Sequence, residues 1–373
     1  MRILVAADSF KDALPAAGVC QALAAGIRRA RPDARITEFP LSDGGEGAFD
    51  VLAHHLALQT IETETFDPLF RPIRASYGLN TGGDTAFVEM ASASGLQLLR
   101  PEERNPLRTT TFGAGLLLAD AQRRGATRVI LAIGGSATND GGTGMAAALG
   151  WRFLDANGHD LPPTGESLGR IACILPPDTT FNLQQVDVIC DVTNPLYGPD
   201  GAAAVYAPQK GAAPPVVAEL DAGLRRLAQL AEQQLHRPGL AHIPGTGAAG
   251  GLGFGAMAFL NATLHRGIDL VLYLTRFDEA LARADLVVTG EGKLDGQTLH
   301  GKLIHGICRR AARRGVPVTA FCGRIEASPE QIRAIGLQRA ICINDTELPL
   351  PELLARTAEN LERAADKWMQ SSF

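Results

Sequence analysis

The stretch from 129 to 150, VILAIGGSATNDGGTGMAAALG, decides how this chain is read. An apolar strand runs into a glycine-rich polar loop, and an alanine-rich helix follows. Strand, loop and helix in that order are the grammar of an α/β protein, whose ligand-binding loops leave the carboxyl ends of strands. Gly134, Gly135, Gly141, Gly142 and Gly144 can take positive φ and leave their amides uncovered. A phosphate or carboxylate can then approach the backbone at a helix N-terminus. Ser136, Thr138, Asn139 and Asp140 add polar side chains. A capped glycine-rich connection uses the same residue types, but capping alone does not account for four polar residues in five.

At 373 residues the chain exceeds one ordinary core and predicts two domains. The formal charge is −5, and no Lys/Arg-rich run is present that would track a nucleic-acid backbone or an anionic membrane. Small molecules are therefore the expected partners. Hydrophobic residues make up 46% of the chain but aromatics only 5%, so the cores are expected to be Ala, Leu, Val and Ile, as in parallel sheets covered by helices. Cysteines 20, 173, 190, 308, 322 and 342 form no C-x-x-C pair and sit mostly in apolar runs, which reads as reduced core thiols. MRILVAADSF enters a strand directly, and no apolar stretch reaches the length of a membrane span. The expectation is a cytoplasmic protein.

Working outward, RILVAA reads as a strand, DSFKDALPA as a loop and helix start, and VCQALAAGIRRARP as an amphipathic helix stopped by proline. ARITEFPL is a second strand, and SDGGEG feeds the helix AFDVLAHHLA. From Thr60 to Met90 the segments TIETETF, PIRASYGL and TAFVEMA alternate between turn signals, predicting antiparallel strands of a new domain. Strand and helix alternation returns with ADLVVTGEG, VPVTAFCG, AICIN and a last helix from Pro351. The fold class expected is α/β in two domains. A Rossmann-like, doubly wound parallel-sheet domain is split between 1–59 and 275–373, and a mixed-sheet domain is inserted at 60–274.

Four further loops carry chemistry. In DSFKDA, Asp8 and Ser9 end the first strand and Lys11 stands where an ammonium can hold a phosphate or carboxylate, although an N-cap with a surface lysine looks the same. SDGGEG puts Asp43 and Glu46 around two glycines, a spacing for a hydrated Mg²⁺, a substrate hydroxyl or a capping box. CDVTNPLYGPDGA leaves Asp191 at the end of a buried strand, ahead of Thr193 and Asn194; an acid there must be solvated, paired or metal-bound. TGEGKLDGQTLHGKL offers Glu291, Lys293, Asp295, Gln297, Thr298 and Lys302 between a strand and a helix.

Other chemistries are less well supported. GQTLHGK at 296–302 imitates a P-loop, but Leu303 follows where Ser or Thr would be needed for Mg²⁺. GTGAAG at 245–250 fits a dinucleotide fingerprint, yet HRPGLAHIP before it is not a convincing strand, and Asp269 precedes the expected strand LVLYL instead of ending one. The eight histidines form no zinc-like cluster, and no G-x-S-x-G elbow exists. Anion-suited loops, carboxylates and lysines remain, which are the parts of phosphoryl transfer without a P-loop.

DSFK at 8–11, PLSDGGEG at 40–47, GGSATNDGGTG at 134–144, CDVTNPLYGPDGA at 190–202, APQKGA at 207–212, GTGAAGGLG at 245–253 and TGEGKLDGQT at 290–298 form an ordered series covering essentially the whole chain. This series resembles the bacterial glycerate kinase family, the type that includes enzymes of glycerate and glucarate breakdown. Asp12 stands where the family usually has glycine. The resemblance implies ATP-dependent phosphorylation of D-glycerate to 2-phosphoglycerate and ADP on two domains facing a cleft, with Mg²⁺ as cofactor and a homodimer allowed. It assigns catalysis to Asp191, the hydroxyl proton acceptor, and to Lys11 and Lys302. Asp43, Glu46, Glu291 and Asp295 become Mg²⁺ candidates. Substrate or phosphate binding falls to Asp8, Ser9, Gly134, Gly135, Ser136, Thr138, Asn139, Asp140, Asn194, Lys210, Gly250, Gly251 and Thr298. A 3-phosphoglycerate-forming enzyme, a kinase for another small hydroxy acid, a dinucleotide-dependent oxidoreductase and a non-catalytic sugar-acid sensor are the rivals.

Overall fold

The opening residues form β1 (Arg2–Val5), whose side chains alternate between two cores: Ile3 and Val5 face one, Leu4 the other. The computed structural model describes residues 1–45, 47–178, 183–295, 303–344 and 348–372. After β1 come α1 (Ala16–Ala30), β2 (Arg35–Glu38) and α2 (Ala48–Leu56). The middle of the chain runs β3 (Leu58–Phe66), β4 (Pro72–Asn80), β5 (Thr85–Glu89), α3 (Ala91–Ser94), α4 (Phe112–Arg123), β6 (Arg128–Ala132) and α5 (Thr143–Ala148). It continues with β7 (Arg152–Leu154), β8 (Cys173–Leu175), β9 (Gln185–Ile189), α6 (Ala202–Tyr206), α7 (Pro214–Gln234), α8 (Ala248–Leu260) and β10 (Thr263–His265). The last third holds α9 (Gly267–Leu274), α10 (Phe277–Leu281), β11 (Leu286–Leu294), α11 (Leu303–Ala312) and β12 (Val318–Ile325). α12 (Pro329–Ala334), β13 (Arg339–Cys342), α13 (Leu350–Ala355) and α14 (Thr357–Ser372) complete it.

These elements fall into two compact units, Met1–Leu56 with Gly267–Phe373, and Ala57–Arg266. The first unit carries a five-stranded sheet in the order β13-β12-β11-β1-β2, every pair parallel. Parallel strands need covering on both faces. Val19, Leu23 and Ile27 of α1 with Leu361, Trp368 and Met369 of α14 cover one face, and Ile268, Val271, Ile304 and Ile307 of α9 and α11 cover the other. From β1 the chain moves to β2 on one side, while β11 lies on the other, so the sheet reverses direction of winding between β1 and β11. Ligands of open α/β sheets bind at that kind of point.

The second unit has a six-stranded sheet, β10-β9-β6-β5-β4-β3. Its first four strands are parallel, and β3, β4 and β5 are joined antiparallel, giving the mixed sheet expected from the turn signals between Thr60 and Met90. α4, α5 and α8 bury Leu117, Met145 and Leu252 against it.

One element departs from the sequence reading. LVLYL, expected as a strand, lies in the helix α9. Ile268, Val271 and Leu272 are buried while Asp269 and Tyr273, four residues apart, are not, which is a helical period and not the alternation of a strand. Among the described residues no helix is long and apolar enough to cross a membrane. The six cysteines are unpaired, and five are wholly or partly buried, but Cys342 is exposed.

Candidate active site

In the first unit the residues after β1 stay in register with β11, the Asp8 amide donating to the Gly290 carbonyl at 3.0 Å. Asp8 thereby stands at the carboxyl edge of the sheet, at the reversal between β1 and β11. Burial pushes its carboxyl up to about 7, and the like charge of Asp43 pushes the same way; the Ser9 amide, donating to Asp8 Oδ1 at 2.7 Å, opposes them. Asp43 folds its own loop, Oδ1 accepting from the Gly45 amide at 3.0 Å. The loop after Asp8 turns tightly, with the amides of Ala13 and Leu14 both donating to the Phe10 carbonyl at 2.9 Å. The turn puts Asp12 at φ +60°. Glycine adopts this left-handed conformation freely, and Asp and Asn are the side chains that tolerate it best. Lys11 beside it is exposed and has no ion-pair partner among the described residues.

Asp8, Ser9, Lys11, Asp43, Glu291 and Asp295 line one cavity of about 1150 Å³. Lys293 and Arg324 join them; Lys293 Nζ reaches Asp295 at 3.3 Å and Glu326 at 2.8 Å, and Arg324 reaches Glu326 at 3.0 Å. These carboxylates hold the Lys293 ammonium above its ordinary range. Leu348, Leu350, Leu353 and Leu354 form the apolar side. Glu46, Thr298 and Lys302 lie outside the described residues. Among the described residues no group of three or more His, Cys, Asp and Glu is placed to hold a metal ion by itself.

The second unit carries the glycine-rich loop between β6 and α5. Gly135, Gly141 and Gly142 take φ of +73°, +62° and +76°. Gly134 and Gly135 are exposed, and nothing lies within 4 Å of where a Cβ on Gly134 would sit. The rest of the loop is turned inward. Asp140, expected among the phosphate-binding side chains, instead accepts from the Thr111 amide (2.7 Å), the Thr111 hydroxyl (2.8 Å) and the amides of Gly142 and Gly144 (3.1 Å each). Burial raises its carboxyl above the ordinary range, against those four donors. Its task is to tie the loop to the start of α4 and of α5.

Lys210, also expected to meet substrate charge, is 2% exposed; its Nζ donates to Ser136 Oγ at 2.8 Å and the Thr138 carbonyl at 2.6 Å. Burial pushes its ammonium down to about 7, with the Asp140 charge pulling it back up. Gly250 and Gly251 lie in a left-handed stretch at the head of α8. The Gly250 carbonyl accepts from the Gly141 amide at 3.0 Å, and a Cβ on Gly250 would overlap the Thr138 carbonyl oxygen. These glycines let two backbones touch. Thr138 Oγ1 and both amide atoms of Asn139 are buried without a partner.

Asp191 is exposed just past β9. β6 and β9 are paired up to Ala132 and Ile189, so the loops that carry Gly134 and Asp191 leave the ends of neighbouring parallel strands. Asn194 is engaged within its own loop, donating to the Asp200 carbonyl at 2.8 Å and accepting from the Tyr206 hydroxyl at 2.6 Å. Reading the sequence missed Arg324 and the leucines of α13. The leucines did leave a signal, the i, i+3, i+4 spacing in LPELL, but that spacing reads alike for a stripe facing a core or a cavity.

The sequence model of the Glycerate kinase family matches residues 3–372. A Bacillus subtilis (strain 168) protein named glycerate kinase is 41% identical over 367 residues, 98% of this chain and 96% of its own length. An Escherichia coli K12 protein named glycerate 2-kinase is 39% identical over 369 residues, again covering 98% and 96%. A crystal structure from Salmonella typhimurium LT2, of a protein described as a glycerate kinase 2, superposes with a TM-score of 0.88 at 40% identity, over 100% of this chain and 98% of that one. With the strand-end loops in place and the match unbroken from end to end, the chain belongs to the glycerate kinase family.

Proposed function

We propose that this chain transfers the γ-phosphoryl group of ATP to D-glycerate, releasing ADP and 2-phosphoglycerate, and does so in the cytoplasm. The observation that carries the reading is similarity over nearly the full length to relatives named for this activity, one of them a glycerate 2-kinase. The chemistry of the strand-end loops supports it. Phosphoryl transfer asks a protein mainly to position reactants and to balance developing charge.

Asp191 is solvent-accessible at the end of a parallel strand, whose neighbour leads into the loop of the exposed Gly134. It accepts the proton of the attacking hydroxyl. Gly134 and Gly135 are exposed and put no side chain of their own over their amides, with Ser136 next to them and Lys210 donating to Ser136 Oγ and the Thr138 carbonyl. In the first unit Lys11 offers positive charge. Hard oxygen donors suit Mg²⁺, which takes one or two carboxylates and completes its shell with water and phosphate oxygens. Asp8 and Asp43, close enough to repel, together with Glu291 and Asp295 on the same cavity, fit that demand. When bound, the ion supplies positive charge to the β- and γ-phosphates.

Incubation with ATP, Mg²⁺ and D-glycerate, followed by phosphorus NMR, is expected to give 2-phosphoglycerate; 3-phosphoglycerate or no phosphorylated acid contradicts the reading. Asp191→Asn is expected to lower kcat by about 10²–10⁴-fold with the ADP dissociation constant unchanged. Turnover at the wild-type rate removes Asp191 from the role of base.

A further inference from the structure

We propose that the cavity of the first unit is the nucleotide site: the base of an adenine nucleotide lies on the leucines of α13, and its phosphates extend along the strand ends toward Lys11. The assignment rests on the kinase reading above. Three independent observations lead to it.

The first is size. A cavity of about 1150 Å³ exceeds the roughly 300–1,000 Å³ of ordinary small-ligand pockets. A three-carbon acid would leave most of it to water, whereas a nucleoside triphosphate has the length to fill it.

The second is the division of chemistry across it. Leu350, Leu353 and Leu354 occupy one face of α13 at i, i+3 and i+4, and all three line the cavity. Such a stripe ordinarily goes into a core. Here no residue of the helix is buried, and Leu350 is 65% exposed. The polar side chains on this wall are already engaged: Asn344 donates to the Gly323 carbonyl and accepts from Asn360, and the Thr357 hydroxyl donates to the Leu353 carbonyl. What the wall presents is apolar surface, fitted to a flat heterocycle and unsuited to glycerate, which has a polar group on every carbon. Across the cavity stand Asp8, Asp43 and Lys11. Lys293 and Arg324 are held in pairs with acids, so Lys11 is the cation at this site without an ion-pair partner among the described residues.

The third is position. The charged end sits at the carboxyl edge where winding reverses between β1 and β11, the place where a doubly wound sheet offers converging amides to phosphates.

The test uses the full chain, with ADP and Mg²⁺ as the probe in calorimetry and 2-azido-ADP as the photolabel. Leu350→Ser and Leu353→Ser are each expected to weaken ADP binding by about fivefold to tenfold. The KM for D-glycerate and the melting temperature should stay at wild-type values, and Leu350→Met should restore ADP affinity. The photolabel should fall on the segment 343–357. Unchanged ADP affinity in both serine variants, or a label within 57–266, overturns the assignment. So does a change in oligomeric mass with ADP affinity intact, which would make the leucine face a contact between copies. A wild-type chain that binds ADP here but does not phosphorylate glycerate leaves the site standing and removes the substrate reading; one that binds no ADP removes both.

Discussion

Two residues carry strain that their neighbourhoods explain. Asp12 holds φ +60° in the tight turn that presents Lys11. The position needs a left-handed backbone, which glycine takes freely, and Asp is one of the few side chains that can supply it. Lys210 is strained electrostatically. Its folded pKa of about 7 lies below the roughly 10.4 of an unfolded lysine. Between those values the unfolded chain holds a proton that the native chain lacks, so this residue makes stability rise with pH across that window, by about 1.4 kcal/mol per pH unit at its steepest. Below pH 7 both states are protonated and the full cost of the buried ammonium is present. Lys210→Met removes the group. Urea unfolding from pH 7 to 10 is therefore expected to show wild type gaining on the variant as pH rises; a difference that stays flat contradicts the depressed pKa.

At the scale of elements, close approach of backbones recurs and overrides local propensity. α1 packs on α14 through Gly26, where a Cβ would overlap the Glu362 carbonyl oxygen and stand 2.9 Å from the Ala365 methyl. Alanine is the better helix former by about 1 kcal/mol. Overpacking two buried helices costs about 1–3 kcal/mol, so the clash outweighs the propensity. Gly26→Ala is expected to lower the unfolding free energy measured in urea, and a stabilised variant would show that the helices can part freely. The same logic limits what periodicity reveals. The antiparallel run of β3, β4 and β5 was legible because turn residues punctuate it, and α1 because its apolar residues recur at helical spacing. α9 was misread because GIDLVLYL is apolar and β-branched enough for either structure, and only its packing against neighbouring helices decides. The leucines of α13 follow the helical rule perfectly well, but the partner of an apolar stripe is not written in the stripe.

At the scale of the whole molecule, the polar loops were legible as chemistry because they follow apolar strands, where a parallel sheet delivers them to one edge. The structure brings Asp8, Ser9, Lys11 and Asp43 from the start of the chain and Glu291 and Asp295 from its last third onto one cavity. It also sorts residues that composition alone could not: Asp140 turns inward from the glycine-rich loop, Lys210, Gly250 and Gly251 pack against that loop, and Gly134, Gly135 and Asp191 are exposed. Which way a polar side chain points depends on what lies on each side of its loop, and a sequence window does not contain that. The central claim is that these loops serve phosphoryl transfer to a small hydroxy acid. Its most direct test is the initial rate of Mg²⁺-dependent ADP release from ATP with D-glycerate, with L-glycerate, and with no acceptor. Release is expected to saturate with D-glycerate and to stay near the acceptor-free rate with L-glycerate; equal rates in all three would contradict phosphoryl transfer to D-glycerate.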